Sequence, residues 1–127
     1  MVLSRTEENY LKAIYKLAER EQGKVSTNSI ASEMSTSAAS VTDMLKKLAE
    51  KELVSYQKYK GVQLTQAGTR YATQLVRKHR LWELFLVDTL GFGWEEVHEV
   101  AEELEHIQSD KLILALDEFL GFPKYDP

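Results

Sequence analysis

The residues of this chain that can do coordination chemistry are its three histidines and the glutamates spaced around them. Within the run from His98 to His106, read as helix, His98, Glu102, Glu105 and His106 fall in an arc of about 100° at about 100° per residue, while Val97, Val100, Leu104 and Ile107 fill the opposite arc. Imidazole nitrogen and carboxylate oxygen are donors that hard and borderline divalent cations take, so the polar stripe is a candidate metal site and the apolar stripe a packing face. An acidic, solvated face that happens to carry histidines is the plain alternative. A second pair, His79 and Glu83, is spaced i,i+4 and shares one face of an earlier helical stretch. Either piece alone is commonplace. The combination points to donors from two helices converging on one or two metal sites.

The 127 residues suffice for one compact domain or for two small ones sharing an interface. With 43% hydrophobic and 28% charged residues, the composition is that of an ordinary soluble protein. No apolar run approaches the roughly 20 residues of a bilayer span, and residues 1–20 lack the apolar core of a signal peptide. A cytoplasmic protein without a membrane partner is expected. Cysteine is absent, which leaves any metal to oxygen and imidazole donors. The net charge of -4 conceals an asymmetry: residues 1–65 hold ten Lys+Arg against eight Asp+Glu, residues 66–127 six against twelve. One anionic and one cationic partner would suit the two halves.

Positioning such donors requires helices, and the pattern supplies them. A first helix is expected from about Glu7 to Arg20, capped by Ser4 or Thr6, with Tyr10, Leu11, Ile14, Leu17 and Ala18 at helical spacing. A short helix then runs from Thr27 or Asn28 through Met34, Ser35 and Thr36 turn the chain, and Ser37 opens a longer helix with Val41, Leu45 and Leu48 inward. The front of that helix, Thr36, Ser37, Ala38, Ala39, Ser40 and Thr42, is made of small side chains. Such a front can press into a DNA groove and bond phosphates through free N–H groups; a well-capped surface helix is the alternative. Val54 to Leu64 reads as a short hairpin with a basic tip at Lys58 and Lys60. This is the order of a winged helix-turn-helix over residues 1–65, with Lys46, Lys47, Lys51, Lys58 and Lys60 as phosphate contacts.

Residues 66–127 read as all-helical, so the fold class is mostly α. Thr65 caps a long helix reaching Leu90, broken or bent along its length; the acidic helix starts at Trp94, and a last helix runs from about Ser109 to Leu120. The apolar surface around Trp82, Leu84, Phe85 and Leu86 exceeds what a half-chain hides, and a homodimer interface accounts for it. Burial of these residues against the first domain is the alternative.

The winged helix-turn-helix order, the segment Arg77, Lys78, His79, Arg80, Leu81 with Glu83, and the segment from Val97 and His98 through Glu102, Glu105 and His106 resemble the diphtheria toxin repressor family over the whole chain. That family comprises iron- and manganese-dependent transcriptional repressors. The resemblance implies an N-terminal DNA-binding domain and a C-terminal dimerisation and metal-binding domain, in a homodimer that binds double-stranded operator DNA with divalent metal and represses metal-uptake genes. Residue by residue, it implies one site from Glu102, Glu105 and His106 with Asn9 of the first helix, and a neighbouring site from His79, Glu83 and His98. Iron-sensing members have cysteine at the position of Glu102 and manganese-sensing members glutamate, so the manganese transport regulator type is resembled, with Mn2+ expected ahead of Fe2+ and other divalent cations substituting in vitro. Asn9 stands where manganese members usually have aspartate, Lys12 where some have a bridging glutamate, and Glu8 is a substitute donor. Many members continue through a proline-rich linker into an SH3-like domain; this sequence stops at Pro127.

Two other classes compete. A helical dimetal-carboxylate enzyme would use Glu103 and His106 as a Glu-x-x-His motif, but that architecture needs the motif twice, and Val76 precedes His79 at the matching offset. No nucleophile with an adjacent base, Gly-rich phosphate loop or zincin motif accompanies it, so no enzymatic activity is expected. A winged-helix regulator answering to a small organic ligand would leave the three histidines unexplained.

Overall fold

The structure, a computed structural model, describes residues 2–123. The elements follow in the order α1 (Arg5–Glu21), α2 (Thr27–Met34), α3 (Ala38–Glu50), β1 (Val54–Gln57), β2 (Gly61–Leu64), α4 (Gln66–Asp88), α5 (Trp94–Leu104) and α6 (Asp110–Phe119). The chain divides into two compact units, Met1–Thr73 and Gln74–Pro127. The division falls inside α4.

Serine hydroxyls start the helices of the first unit. Ser4 Oγ accepts the Glu7 N–H at 3.1 Å while Glu7 Oε1 accepts the Ser4 N–H at 2.9 Å, a reciprocal cap that fixes Ser4 and not Thr6 as the start of α1. Ser26 caps α2 through the Ser29 N–H at 3.0 Å, and Ser37 caps α3 through the Ser40 N–H at 3.1 Å. Each cap contributes about 1 kcal/mol. Between α2 and α3 the chain reverses at Ser35, whose φ is 52°, and the Thr36 N–H returns to Ala31 O at 3.0 Å. Leu11, Ile14, Ile30, Val41, Leu45 and Leu48 are fully buried in one cluster, each contributing about 1.5–3 kcal/mol. With Val41, Leu45 and Leu48 inward, α3 turns Ala39, Ser40, Asp43, Lys46 and Lys47 to solvent.

Strands β1 and β2 pair antiparallel, from Val54 opposite Leu64 to Gln57 opposite Gly61. This wing is tied to the α1–α2 connection by two hydrogen bonds between Val25 and Val62, at 3.0 and 2.9 Å. Gly61 has φ +87°, and a Cβ there would lie 2.9 Å from Val25 O. Helix α4 begins where Thr65 Oγ1 donates to Glu52 O at 2.8 Å and accepts the Gly68 N–H at 3.1 Å. It then runs as one 23-residue helix. Of the break or bend expected from the sequence, the break is not there: Gln66 to Asp88 contains no proline and its single glycine lies in the first turn.

In the second unit Leu81, Trp82, Leu86, Val97, Ala101 and Leu116 form the core, with Phe85 edge-on to Trp82 at 6.0 Å and to Phe119 at 5.8 Å. Trp82 and Leu86, expected at a dimer surface, are therefore buried in their own unit, while Leu84 and Phe85 are half-buried. The exposed large apolar residues here are Leu90, Trp94, Ile107, Leu112, Leu114, Phe119 and Phe122. Arg77 donates to Asp117 at 2.8 Å and ties α4 to α6. Among the described residues no helix is long and apolar enough to cross a membrane.

Candidate metal centre

Helix α4 presents His79 and Glu83 one turn apart, with His79 Nε2 3.3 Å from Glu83 Oε2. Helix α5 brings its histidine to the same place. Its start is held by Glu96 Oε1 accepting the Gly93 N–H at 2.8 Å, and its buried residues Val97 and Ala101 set the ring of His98 4.8 Å from that of His79. One ligand atom from each of His79, Glu83 and His98 lies within 4.8 Å of the others. Tetrahedral donors about 2.1 Å from an ion are about 3.4 Å apart, so the group must draw in by up to about 1.4 Å at its widest to close on one.

Glu102 shares the stripe of His98, one turn on, but Glu105 and His106 do not. Helix α5 ends at Leu104, Glu105 is its C-cap, and His106 lies in the turn beyond. Val97, Ala101 and Glu105 are spaced i,i+4,i+8 and stack on one face, so the Glu105 carboxylate continues the buried stripe and is 0% exposed. The inward face is rotated from the expected one: Val100 is half-buried and Ile107 exposed. Glu102 is turned outward, half-exposed, with Oε1 4.0 Å from His98 Nε2. His106 Nε2 lies 3.9 Å from Glu105 Oε2. With α5 ended at Leu104, His106 lies beyond the helix that carries Glu103.

His79 is held from both sides. Its Nδ1 is 2.7 Å from Glu105 Oε1. An ionised carboxylate only accepts, so Nδ1 donates there. In the neutral ring Nε2 is then an acceptor facing the Glu83 carboxylate, an arrangement that needs positive charge between the two. A ring proton supplies it, and so does a divalent cation. Glu83 Oε1 meets Arg80 on the outer side at 3.6 Å. A buried carboxylate beside the buried imidazole of His79 and the half-buried one of His106, without thiolate, fits a borderline or hard dication. Asn9 lies half-buried on α1 in the first unit, between buried Glu8 and Tyr10.

Residues 2–62 match the family described as iron dependent repressor, N-terminal DNA binding domain, and residues 65–127 that described as iron dependent repressor, metal binding and dimerisation domain. A transcriptional regulator MntR of Geobacillus thermodenitrificans is 37% identical over 99 residues, 78% of this chain and 69% of that protein. The chain belongs to the iron-dependent repressor family. The diphtheria toxin repressor of Corynebacterium jeikeium is 32% identical over 96% of this chain and 52% of its own. A solved manganese-dependent transcriptional repressor in complex with manganese is 45% identical over 95% of this chain and 55% of its own, with a TM-score of 0.83. The chain thus spans about half the length of these last two relatives, and its sequence is nearer to the manganese regulator.

The iron-dependent repressor fold gives the first unit an outward face. Thr36, Ser37, Ala39 and Ser40 are exposed and Thr42 half-buried; Lys46, Lys47, Lys58 and Lys60 are exposed. The Ser37 hydroxyl is committed to its cap and to Ser40 Oγ at 3.0 Å. Lys51, expected among the phosphate contacts, has its ammonium bonded to Glu7. Burial raises the Glu7 carboxyl, but Lys51 and Ser4 lower it further, to a net value below the usual one. The sequence reading missed a groove of about 370 Å³ lined by Ser26, Thr27, Asn28, Ala38, Thr42, Tyr56, Lys58, Tyr59 and Gly61. The cap at Ser26 and the tyrosines of the hairpin were its available signals.

Proposed function

We propose that the chain is a metal-dependent, DNA-binding transcriptional repressor that acts as a homodimer on a palindromic operator of metal-uptake genes, and that it answers to Mn2+ ahead of Fe2+. The observation that carries the metal half is His79, set between Glu105 on one nitrogen and Glu83 with His98 on the other. His79, Glu83 and His98 would make one site. Glu102, Glu105 and His106 would make the other with Asn9, for which the support is the family resemblance. Oxygen and imidazole donors without sulfur favour the harder ion, and the nearer relatedness to a manganese-dependent repressor agrees.

When bound, the dication supplies positive charge where carboxylates otherwise repel one another. Glu105 orients His79 by accepting from Nδ1, which aims Nε2 at Glu83. Asn9 would link α1 to the acidic donors and hold the DNA-reading unit in its binding arrangement. Exposed α3 would enter the major groove, while Lys46, Lys47, Lys58 and Lys60 neutralise phosphates. A coupling of 1–3 kcal/mol is typical of such linkage, about 5- to 150-fold in affinity. Duplex binding at fixed ionic strength, with manganese and with chelator, tests the reading. Equal affinities would overturn it.

A further inference from the structure

We infer that Tyr59, at the tip of the wing, is a non-ionic anchor that packs its ring on the sugar wall of the minor groove next to the major groove taken by α3. The inference deepens the proposed function and rests on the chain binding duplex DNA. Tyr59 is 93% exposed, and its ring has Lys58 Nζ 5.2 Å from the centroid. It occupies the third position of a turn closed by the Lys60 N–H on Gln57 O at 2.9 Å, with φ +67°. Glycine or asparagine suits that position; a side chain with a β-carbon is held there against its backbone preference. Burial within the fold does not account for the tyrosine, so its gain lies outside the chain.

The surroundings name the occupant. Tyr59 borders the groove of about 370 Å³ that also touches Asn28, Thr42 and Tyr56. That groove separates the exposed, small-residue front of α3 from the wing, and Lys58 and Lys60 flank the ring. A sugar-phosphate strand lying in it, with α3 in the major groove, brings the wing tip over the adjacent minor groove. The lysines suffice for phosphates. An aromatic face adds contact with deoxyribose carbon, which cations cannot supply.

The test uses manganese-loaded protein and a duplex selected from random DNA by that protein. Tyr59→Gly is expected to raise the thermal midpoint, because the turn is relieved, and to weaken binding about fivefold to tenfold, the size of one apolar contact. The slope of log affinity against log salt should not change. Tyr59→Phe should bind within about twofold of the parent, whereas Lys58→Gln should lower the slope by about one. Tyr59→Gly binding as tightly as the parent, or weakening only through the slope, overturns the inference while leaving the repressor reading intact. A parent protein that retains no duplex overturns both.

Discussion

The Glu105 carboxylate is fully enclosed and accepts from His79 Nδ1 at 2.7 Å. Glu105→Ala takes that acceptor from a buried N–H and is expected to lower stability in chelator by about 1–3 kcal/mol. Glu105→Gln, whose amide oxygen still accepts, is expected to lose about half as much or less; urea melts give both values. Both variants lack the charge, so both should lose stabilisation by manganese. A Glu105→Ala protein as stable as its parent in chelator would show that His79 finds another partner. The donor types were legible in the sequence because histidines are few and each has glutamates at helical spacing. Their pairing was not. Arc arithmetic placed Glu105 with His98 and Glu102, since Ala101, which marks the buried line running into Glu105, carries little weight in an apolar count. The pairing of Lys51 with Glu7 was not legible for a related reason: the two lie 44 residues apart, and no local pattern reports such a distance.

At the scale of elements, Ser37 gave the start of α3 and Ser4 was one of two candidates for that of α1, because a cap is a local interaction and local sequence records it; Ser26, which caps α2, was passed over. The end of α5 had no such record. The segment Leu104 to Gln108 holds neither glycine nor proline, and the helix stops where Glu105 turns to His79, which is tertiary. The same holds for Gly68 in the first turn of α4. A Cβ there would sit 2.0 Å from Leu53 O, the carbonyl that also accepts the Thr65 N–H at 3.0 Å. Gly68→Ala is therefore expected to cost at least about 2 kcal/mol, toward the upper part of the range for overpacking, although alanine is the better helix former. Thermal unfolding compared with Ala67→Gly, which loses helix propensity without a clash, separates the two effects. A Gly68→Ala protein more stable than the parent would mean that α4 is not pinned to Leu53.

For the molecule as a whole, the less acidic half of the chain matches a family described as a DNA binding domain and the acidic half one described as a metal binding and dimerisation domain. A Glu105→Ala, His106→Ala double variant is expected to stay dimeric by sedimentation and to bind duplex DNA with one affinity, with or without manganese. Retained metal response would place the sensing elsewhere, and loss of the dimer would show that these side chains also hold the protomers. The two tryptophans share the second unit: Trp82 is enclosed in α4 between His79 and Glu83, and Trp94 lies largely exposed, one turn ahead of His98. The first unit has none. Paramagnetic Mn2+ held by His79, Glu83 and His98 would quench Trp82 emission at close range, so intrinsic fluorescence follows loading without a label and is blind to events confined to the winged head.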